Sequence, residues 1–379
     1  MHITIVMGFF LPLPPVAGGA TEKSWHGLAR EFAARGHAVT VISRRWPGWA
    51  DRETIDGVTH LRLPGYAHTA SLARNLLRDF IWSWRVWFAL PPADLTIVNC
   101  VALPVWLGWF RRHAGLLAVM TGRVPKGQYR LYRRLDRVLA VSSAVRADLL
   151  AENPRFASVT KVSGYPIPWR ALHQSRPVPA PGAPVTFGFV GRINREKGLG
   201  LLVSAFALLA QDVGLPPWRV LFCGPVDIAR GGSGPDFVAE LQATLAAALP
   251  ADTFEFRPPV FDDAALGAVY REIDVFCYPS LAARGETFGV AVAEAMAAGA
   301  VPVVSRLPCF TDFVRDGANG LVFAHEAPDA AARLVAALRR LLLDPSLRSA
   351  LARNAETDTR VYDFPEFAAR LLADFSSLQ

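Results

Sequence analysis

Glu286 and Glu294 stand eight positions apart in the run Gly285-Glu286-Thr287-Phe288-Gly289-Val290-Ala291-Val292-Ala293-Glu294-Ala295-Met296-Ala297-Ala298-Gly299. The first has glycine beside it. The second lies in an alanine-rich segment that predicts a helix, because Ala and Met are good helix formers and Gly299 offers the stop. Glu286 therefore falls in a loop at a helix entrance. Unpaired backbone N–H groups there carry partial positive charge and can hold a phosphate or sugar oxygen, while a carboxylate further into the helix can accept hydrogen bonds from vicinal hydroxyls. Those are the contacts needed to grip a nucleotide sugar. A helix with a solvated glutamate ahead of a buried strand, Ala300 to Ser305, fits the same residues, so the stretch alone leaves both readings open.

The elements that would have to position these side chains number more than one core can serve. The chain has 379 residues, and single cores stop growing at roughly 250–300, so two domains are expected. With 52% hydrophobic and 19% charged residues, composition excludes a disordered or tail-like chain. Residues 1–170 hold 22 Lys and Arg against 10 Asp and Glu, and the remainder 18 against 23. The basic first half points to a polyanionic partner, an anionic membrane surface or a phosphate-bearing substrate. Nucleic acid is not an expected partner, since the basic residues are scattered among Trp and Leu without zinc-finger spacing or an RNP-like run. Cys100, Cys223, Cys277 and Cys309 lie far apart in apolar runs with no CxxC pair, which reads as core thiols of a reducing, cytoplasmic compartment and not as a disulfide or zinc framework. The apolar start lacks a positive n-region and is interrupted by Pro and Gly, so it reads as a first strand and a loop and not as a signal peptide. Between Phe80 and Phe110, Arg85, Pro91-Pro92, Asp94 and Pro104 break every apolar span of the ~18 residues that a transmembrane helix requires.

In the first half, His2 to Met7 reads as a buried parallel strand, 12–19 as a Pro/Gly loop, Thr21 to Arg35 as a helix with Trp25, Leu28, Ala29 and Phe32 on one face, and Ala38 to Ser43 as a second strand. Gly18-Gly19 ahead of that helix would let backbone approach an anion, although the spacing is not GxGxxG. Asp94 to Asn99, Leu116 to Met120 and Arg137 to Ser142 read as further strands of one doubly wound sheet. Leu72 to Arg85 forms a helix with a basic stripe and a Leu/Trp face. Either it lies in a membrane interface, or its apolar face packs on the sheet and its arginines are solvated. The polybasic run Arg123 to Arg137 adds to the membrane or phosphate reading.

Prolines 166, 168, 177, 179, 181 and 184 mark an interdomain join. A new strand, Val185 to Val190, then runs into Gly191-Arg192-Ile193-Asn194-Arg195-Glu196-Lys197-Gly198 and a helix from Leu199 to Ala210. Strand, Gly-Arg, Glu-Lys-Gly and, about ninety residues on, Glu-x7-Glu ending in Glu-Ala-Met-Ala-x-Gly together resemble the retaining glycosyltransferases of family 4. The similarity spans nearly the whole chain. It takes in Gly18-Gly19, Arg35 to Val41, Val141-Ser142, Cys223-Gly224-Pro225, Asp274 to Ser280 and Asp316 to Val322.

The resemblance implies an α/β chain of the GT-B fold, two facing Rossmann-like doubly wound parallel-sheet domains with an interdomain cleft. Residues 1–170 would form the acceptor domain, 171–184 a Pro-rich linker, 185–358 the nucleotide-sugar domain, and 359–379 a helix crossing back to the first domain, with closure hinging at linker and crossing. Arg192 and Lys197 would neutralise the donor diphosphate as it leaves, as fixed cations in place of a metal. Glu294 would take the ribose hydroxyls. Glu286 and the N–H groups of Thr287, Phe288 and Gly289 would hold the transferred sugar, and Gly18-Gly19 would reach the diphosphate. No Asp-x-Asp occurs, which agrees with the metal-independent mechanism that the resemblance implies, and no metal or cofactor is expected. The co-substrate would be a nucleotide diphosphate sugar, UDP first and GDP second, and the base would be read by backbone around Arg257 to Phe261.

One departure concerns the acceptor side. Where the family often has a histidine in a sequence like Thr-Val-His-Gly, this chain has Val119-Met120-Thr121-Gly122, and a threonine cannot serve as a general base as an imidazole can. Retention with the leaving phosphate taking the acceptor proton needs no such histidine. Thr121, Arg123 and Lys126 are the acceptor-side candidates, with His26 and His37 structural. The expected acceptor is a lipid-linked or phosphorylated glycan intermediate, or a small molecule, handled by a cytoplasmic enzyme with a place at the inner face of the membrane. The alternatives are a catalytically silent GT-B scaffold that binds a partner or membrane, and a sugar-nucleotide epimerase.

Overall fold

The computed structural model describes residues 1–16, 19–111, 113–176, 180, 182–282 and 284–378. Short runs of Val, Ile, Leu and Phe, flanked by loops and helices, become strands buried on both faces, as parallel sheets require. By internal packing the chain divides into two units, Met1–Pro166 with Phe364–Gln379, and Ile167–Asp363.

The first unit is built on β1 (His2–Val6), β2 (Ala38–Arg44), β3 (Arg52–Ile55), β4 (Val58–Leu63), β5 (Leu95–Val98), β6 (Leu116–Thr121), β7 (Arg137–Ala140) and β8 (Thr160–Val162). Their order is β3-β4-β2-β1-β5-β6-β7-β8. All pairs are parallel except β3 with β4, a hairpin closed at Asp56-Gly57, where both residues have positive φ (50° and 78°) as a tight hairpin turn demands. Ile5 of β1 lies in register with Val41 of β2 and Ile97 of β5. Omitting β3 and β8, the order is the 3-2-1-4-5-6 of dinucleotide-binding sheets. The core gathers Trp82, Val98, Leu103, Leu107, Leu117 and Val138.

The last helix, Phe364–Ser376, belongs to this unit. It packs on the helix Ala20–Ala34, where Gly27 leaves room for the Phe364 ring, 2.4 Å from where a Cβ would stand. The buried Arg137 guanidinium fixes the helix by a 2.7 Å ion pair with Asp374.

Among the described residues the second unit has six strands, β9 (Val185–Val190), β10 (Trp218–Cys223), β11 (Phe254–Arg257), β12 (Val275–Tyr278), β13 (Val301–Ser305) and β14 (Leu321–Phe323). Their order, β11-β10-β9-β12-β13-β14, is again 3-2-1-4-5-6, here wholly parallel. Of the expected linker, residues 177–179 and 181 lie outside the described residues. Arg176 is fastened to the second unit, its guanidinium donating to the carbonyls of Gly299 and Ile273, each at 2.8 Å. Among the described residues no helix is long and apolar enough to cross a membrane.

Candidate functional site

In the second sheet the strand order reverses between β9 and β12, since β10 and β13 depart to opposite sides. Open α/β sheets bind ligands outside the carboxyl ends of strands at such a switch point. Arg192 and Lys197 follow β9, and Glu286 and Glu294 follow β12. The fold thus assigns all four to the same edge.

The β9 loop ends in a 3₁₀ turn, Arg195–Lys197, capped by Asn194, whose side chain accepts from the Glu196 N–H. Gly198 has φ 70°, and a Cβ there would stand 1.9 Å from the Pro279 carbonyl oxygen. Only glycine permits this approach, and it sets the turn against the end of β12. Lys197 forms a buried ion pair with Glu286, each side chain 7% exposed. The same carboxylate oxygen accepts from the Tyr278 hydroxyl at 3.1 Å and the Ser280 hydroxyl at 3.0 Å. Burial, and then the Glu286 charge, push the Tyr278 phenol well above its ordinary range, so it stays a donor. By the same two causes the nearby Cys309 thiol is pushed up to about 12, which keeps it protonated. Arg192 is more open, pairing with Glu196 at 2.7 Å and donating to the Gly231 carbonyl at 3.1 Å.

The expected helix forms over Val290–Ala297, preceded by Gly289 at φ 93°. A Cβ at Gly289 would lie 2.5 Å from the Phe310 ring. The Phe288 side chain is buried against Phe313 and Tyr362, so it anchors the loop. Thr287 is half-buried. Glu294, on the helix, accepts from the Tyr270 hydroxyl at 2.9 Å. Burial, then the Glu294 charge, raise the Tyr270 phenol. At the end of β11, Arg257 is held by the carboxylates of Glu255 and Glu272, each at 2.8 Å.

In the first unit Gly18 lies outside the described residues. Gly19, φ 138°, precedes the helix Ala20–Ala34, and a Cβ there would meet Glu22 Oε2 at 2.3 Å. The Glu22 carboxylate therefore folds back onto the helix entrance. Its pKa is raised by burial, against the pull of its own N–H and of Arg123. Thr121 ends β6, buried, its hydroxyl paired with that of buried Tyr129, which makes it a packing residue. Arg123 and Lys126 are exposed.

Four partners of these charges were not expected from sequence: Glu196, Tyr270, Tyr278 and Ser280. Tyr278 and Ser280, two apart at a strand end, share a face, and that spacing was the available signal.

Residues 173–358 match the family described as glycosyl transferases group 1, and residues 17–157 match Glycosyltransferase Family 4. The D-inositol 3-phosphate glycosyltransferase of Actinosynnema mirum is 36% identical over 198 residues, 52% of this chain and 45% of that protein. The phosphatidyl-myo-inositol mannosyltransferase of Mycobacterium tuberculosis is 29% identical over 337 residues, 88% of this chain and 77% of that protein. The alignment to the first of these thus spans just under half of the relative's length. Among solved structures, the sucrose-phosphate synthase of Thermosynechococcus elongatus superposes with TM-score 0.77 at 20% identity, covering 100% of this chain and 98% of that one. Anabaena HepE in complex with UDP gives 0.72 at 17%, covering 99% of each. These likenesses show the GT-B fold, and with the family descriptions matching most of both units, this chain belongs to glycosyltransferase family 4.

Proposed function

We propose that this protein transfers a sugar from a nucleotide diphosphate donor to a phosphorylated or lipid-linked acceptor, with retention of anomeric configuration and without a metal. The observation that carries the reading is the cluster of Arg192, Lys197 and Glu286 where the strand order reverses, with Glu294 on the helix that follows. In the reaction the bond from the anomeric carbon to the diphosphate oxygen breaks. An acceptor oxygen bonds the same face of that carbon, and its proton passes to the departing phosphate. Arg192 and Lys197 balance the charge that gathers on the leaving group. Glu286 and the N–H groups of Thr287, Phe288 and Gly289 hold the sugar, and Glu294 accepts from the ribose hydroxyls. Since Lys197 and Glu286 orient one another, a diphosphate that draws Lys197 away leaves Glu286 held by Tyr278 and Ser280. UDP is the donor nucleotide proposed first, with GDP the alternative. The names of the inositol-phosphate and phosphatidylinositol relatives, and the basic first unit, support a phosphorylated inositol or a lipid-linked glycan intermediate as acceptor.

Thermal-shift titration with UDP, GDP and ADP, without added metal, tests this. One nucleotide is expected to stabilise the protein, since ligand at 100 times its dissociation constant adds about 2.7 kcal/mol, and Arg192→Ala and Glu294→Ala are expected to weaken the response. Failure of all three nucleotides would favour the silent scaffold.

A further inference from the structure

The helix Leu72–Ala89 carries two apolar faces. One, with Trp82 and Val86, is buried in the core of the first unit. On the other, Leu72, Leu76, Phe80, Trp84 and Phe88 recur every four residues and are exposed, Phe88 at 65%. Helical residues four apart lie on one face, so this is a continuous stripe that the fold leaves uncovered.

A second helix, Leu103–Trp109, widens the stripe. The Trp106 ring lies 4.8 Å from that of Trp84 and 5.5 Å from that of Phe80. The Trp87 indole donates to the Phe110 carbonyl at 3.4 Å. Trp109 and Phe110 are 58% and 62% exposed. Isolated exposed apolar residues need no explanation, whereas a contiguous patch of this kind marks a binding surface.

What lies beside the patch identifies the occupant. The Arg133 guanidinium sits 3.8 Å over the Trp109 ring, at the rim of a cavity of about 510 Å³ lined by Arg111, Arg133, Arg134, Arg155 and Asp136. Asp136 is already engaged by Arg111 at 2.9 Å and by the Leu117 N–H at 2.7 Å. It is the only carboxylate among the described lining residues. Among the described residues the buried Nε of Arg111 has no hydrogen-bond partner. The cavity is therefore strongly positive, with guanidinium groups suited to a phosphate. Asp136 precedes β7, and Phe156 and Val159, also in its wall, precede β8. The site thus lies at the amino ends of these strands, the edge of the sheet opposite to the one where Thr121 ends β6.

We propose that this flank of the first unit docks on an anionic bilayer, with the four-arginine cavity taking the phosphate of a lipid headgroup while Trp84, Phe88, Trp109 and Phe110 enter the interface. Trp prefers the headgroup zone, and basic side chains beside it are drawn to anionic lipid. The inference goes beyond the transfer reaction and stands without it.

Flotation of the full chain with vesicles, either pure phosphatidylcholine or an equal mixture of phosphatidylcholine and phosphatidylglycerol, tests it. Binding is expected to the mixed vesicles only. Each arginine near such a surface contributes about a fivefold factor, so Arg134→Ala/Arg155→Ala is expected to weaken partitioning roughly 30-fold. Phe88→Ser/Trp109→Ser should weaken it as well. Circular dichroism and any nucleotide response should be unchanged in both variants, which keeps this outcome separate from that of the transfer reading. Indifference of the wild type to mixed vesicles would overturn the proposal, as would undiminished binding by the arginine variant. Stabilisation by inorganic phosphate through the same arginines without vesicle binding would also overturn it, in favour of a free-anion site. A dimer that Phe88→Ser/Trp109→Ser dissociates, with no vesicle binding, would make the patch a contact between two copies.

Discussion

At the carboxyl edge of the second sheet, Lys197 and Glu286 bury opposite charges against each other, and two hydroxyls complete the shell of the carboxylate. Asp79 of the first unit is also buried, but it accepts hydrogen bonds from the backbone N–H groups of Val101 and Ala102, at 3.2 and 2.7 Å. The two sheets share the 3-2-1-4-5-6 strand order. What differs is whether a buried carboxylate is met by a cation or only by dipoles. In the first arrangement a cationic side chain stands against the carboxylate. In the second, burial pushes the carboxyl toward its neutral form. Chemistry therefore resides in the side chains placed on a shared topology, and each half of the comparison can be perturbed separately.

The largest effect is expected from breaking the pair. Lys197→Met leaves a buried carboxylate with hydroxyl donors alone, and removing one partner of a buried ion pair costs about 3–5 kcal/mol. Urea unfolding followed by a probe in the second unit measures this. Lys197→Met/Glu286→Gln should recover most of the loss, because no orphaned charge remains. A single-variant cost below about 1 kcal/mol would mean that solvent screens the pair as it does at a surface.

Asp79 sharpens the other half. Burial raises its pKa from 3.8 to about 6, against the pull of the Ala102 and Val101 N–H groups. The folded state then holds the proton more tightly than the unfolded chain, so this group's contribution to stability falls as pH rises from about 4 to about 6, by up to about 3 kcal/mol. Asp79→Asn keeps an oxygen acceptor for the Ala102 N–H and removes the titration. The difference in urea midpoint between variant and wild type should therefore grow in the variant's favour from pH 4 to pH 6.5 and then level off. A difference independent of pH would show that the carboxyl titrates normally in the fold.

The sheets were legible in the sequence because strands buried on both faces are continuous apolar runs. The hairpin of β3 and β4 was passed over although Asp56-Gly57 is a strong turn signal, since its strands, Arg52-Glu53-Thr54-Ile55 and Val58 to Leu63, are interleaved with polar residues. Arg192, Lys197, Glu286 and Glu294 stood out by type and spacing. That Lys197 and Glu286 would bond one another did not, because they are 89 positions apart and meet only through the alignment of β9 with β12, in which Phe187 lies opposite Val275. The helix Leu72–Ala89 was open between packing on the sheet and lying in an interface. Its Trp residues occupy both faces, Trp82 buried and Trp84 exposed, so helical periodicity alone could not separate the two.

Thr121 carries the smallest expected effect and bears on the acceptor side. Its position suggested a substitute for a missing histidine, but its hydroxyl is buried against that of Tyr129, whose phenol burial raises far above its usual range. The pair is a neutral hydrogen bond in a low-dielectric core. Thr121→Val keeps the shape and leaves one buried hydroxyl unmet, which costs about 1–2 kcal/mol, while Thr121→Val/Tyr129→Phe removes both polar partners and should return close to wild type. The measurement is again the urea midpoint, accompanied by the thermal response to nucleotide, which should not change in either variant. If instead Thr121→Val were neutral in stability and the proposed transfer fell sharply while nucleotide binding held, the hydroxyl would have to be read as facing an acceptor.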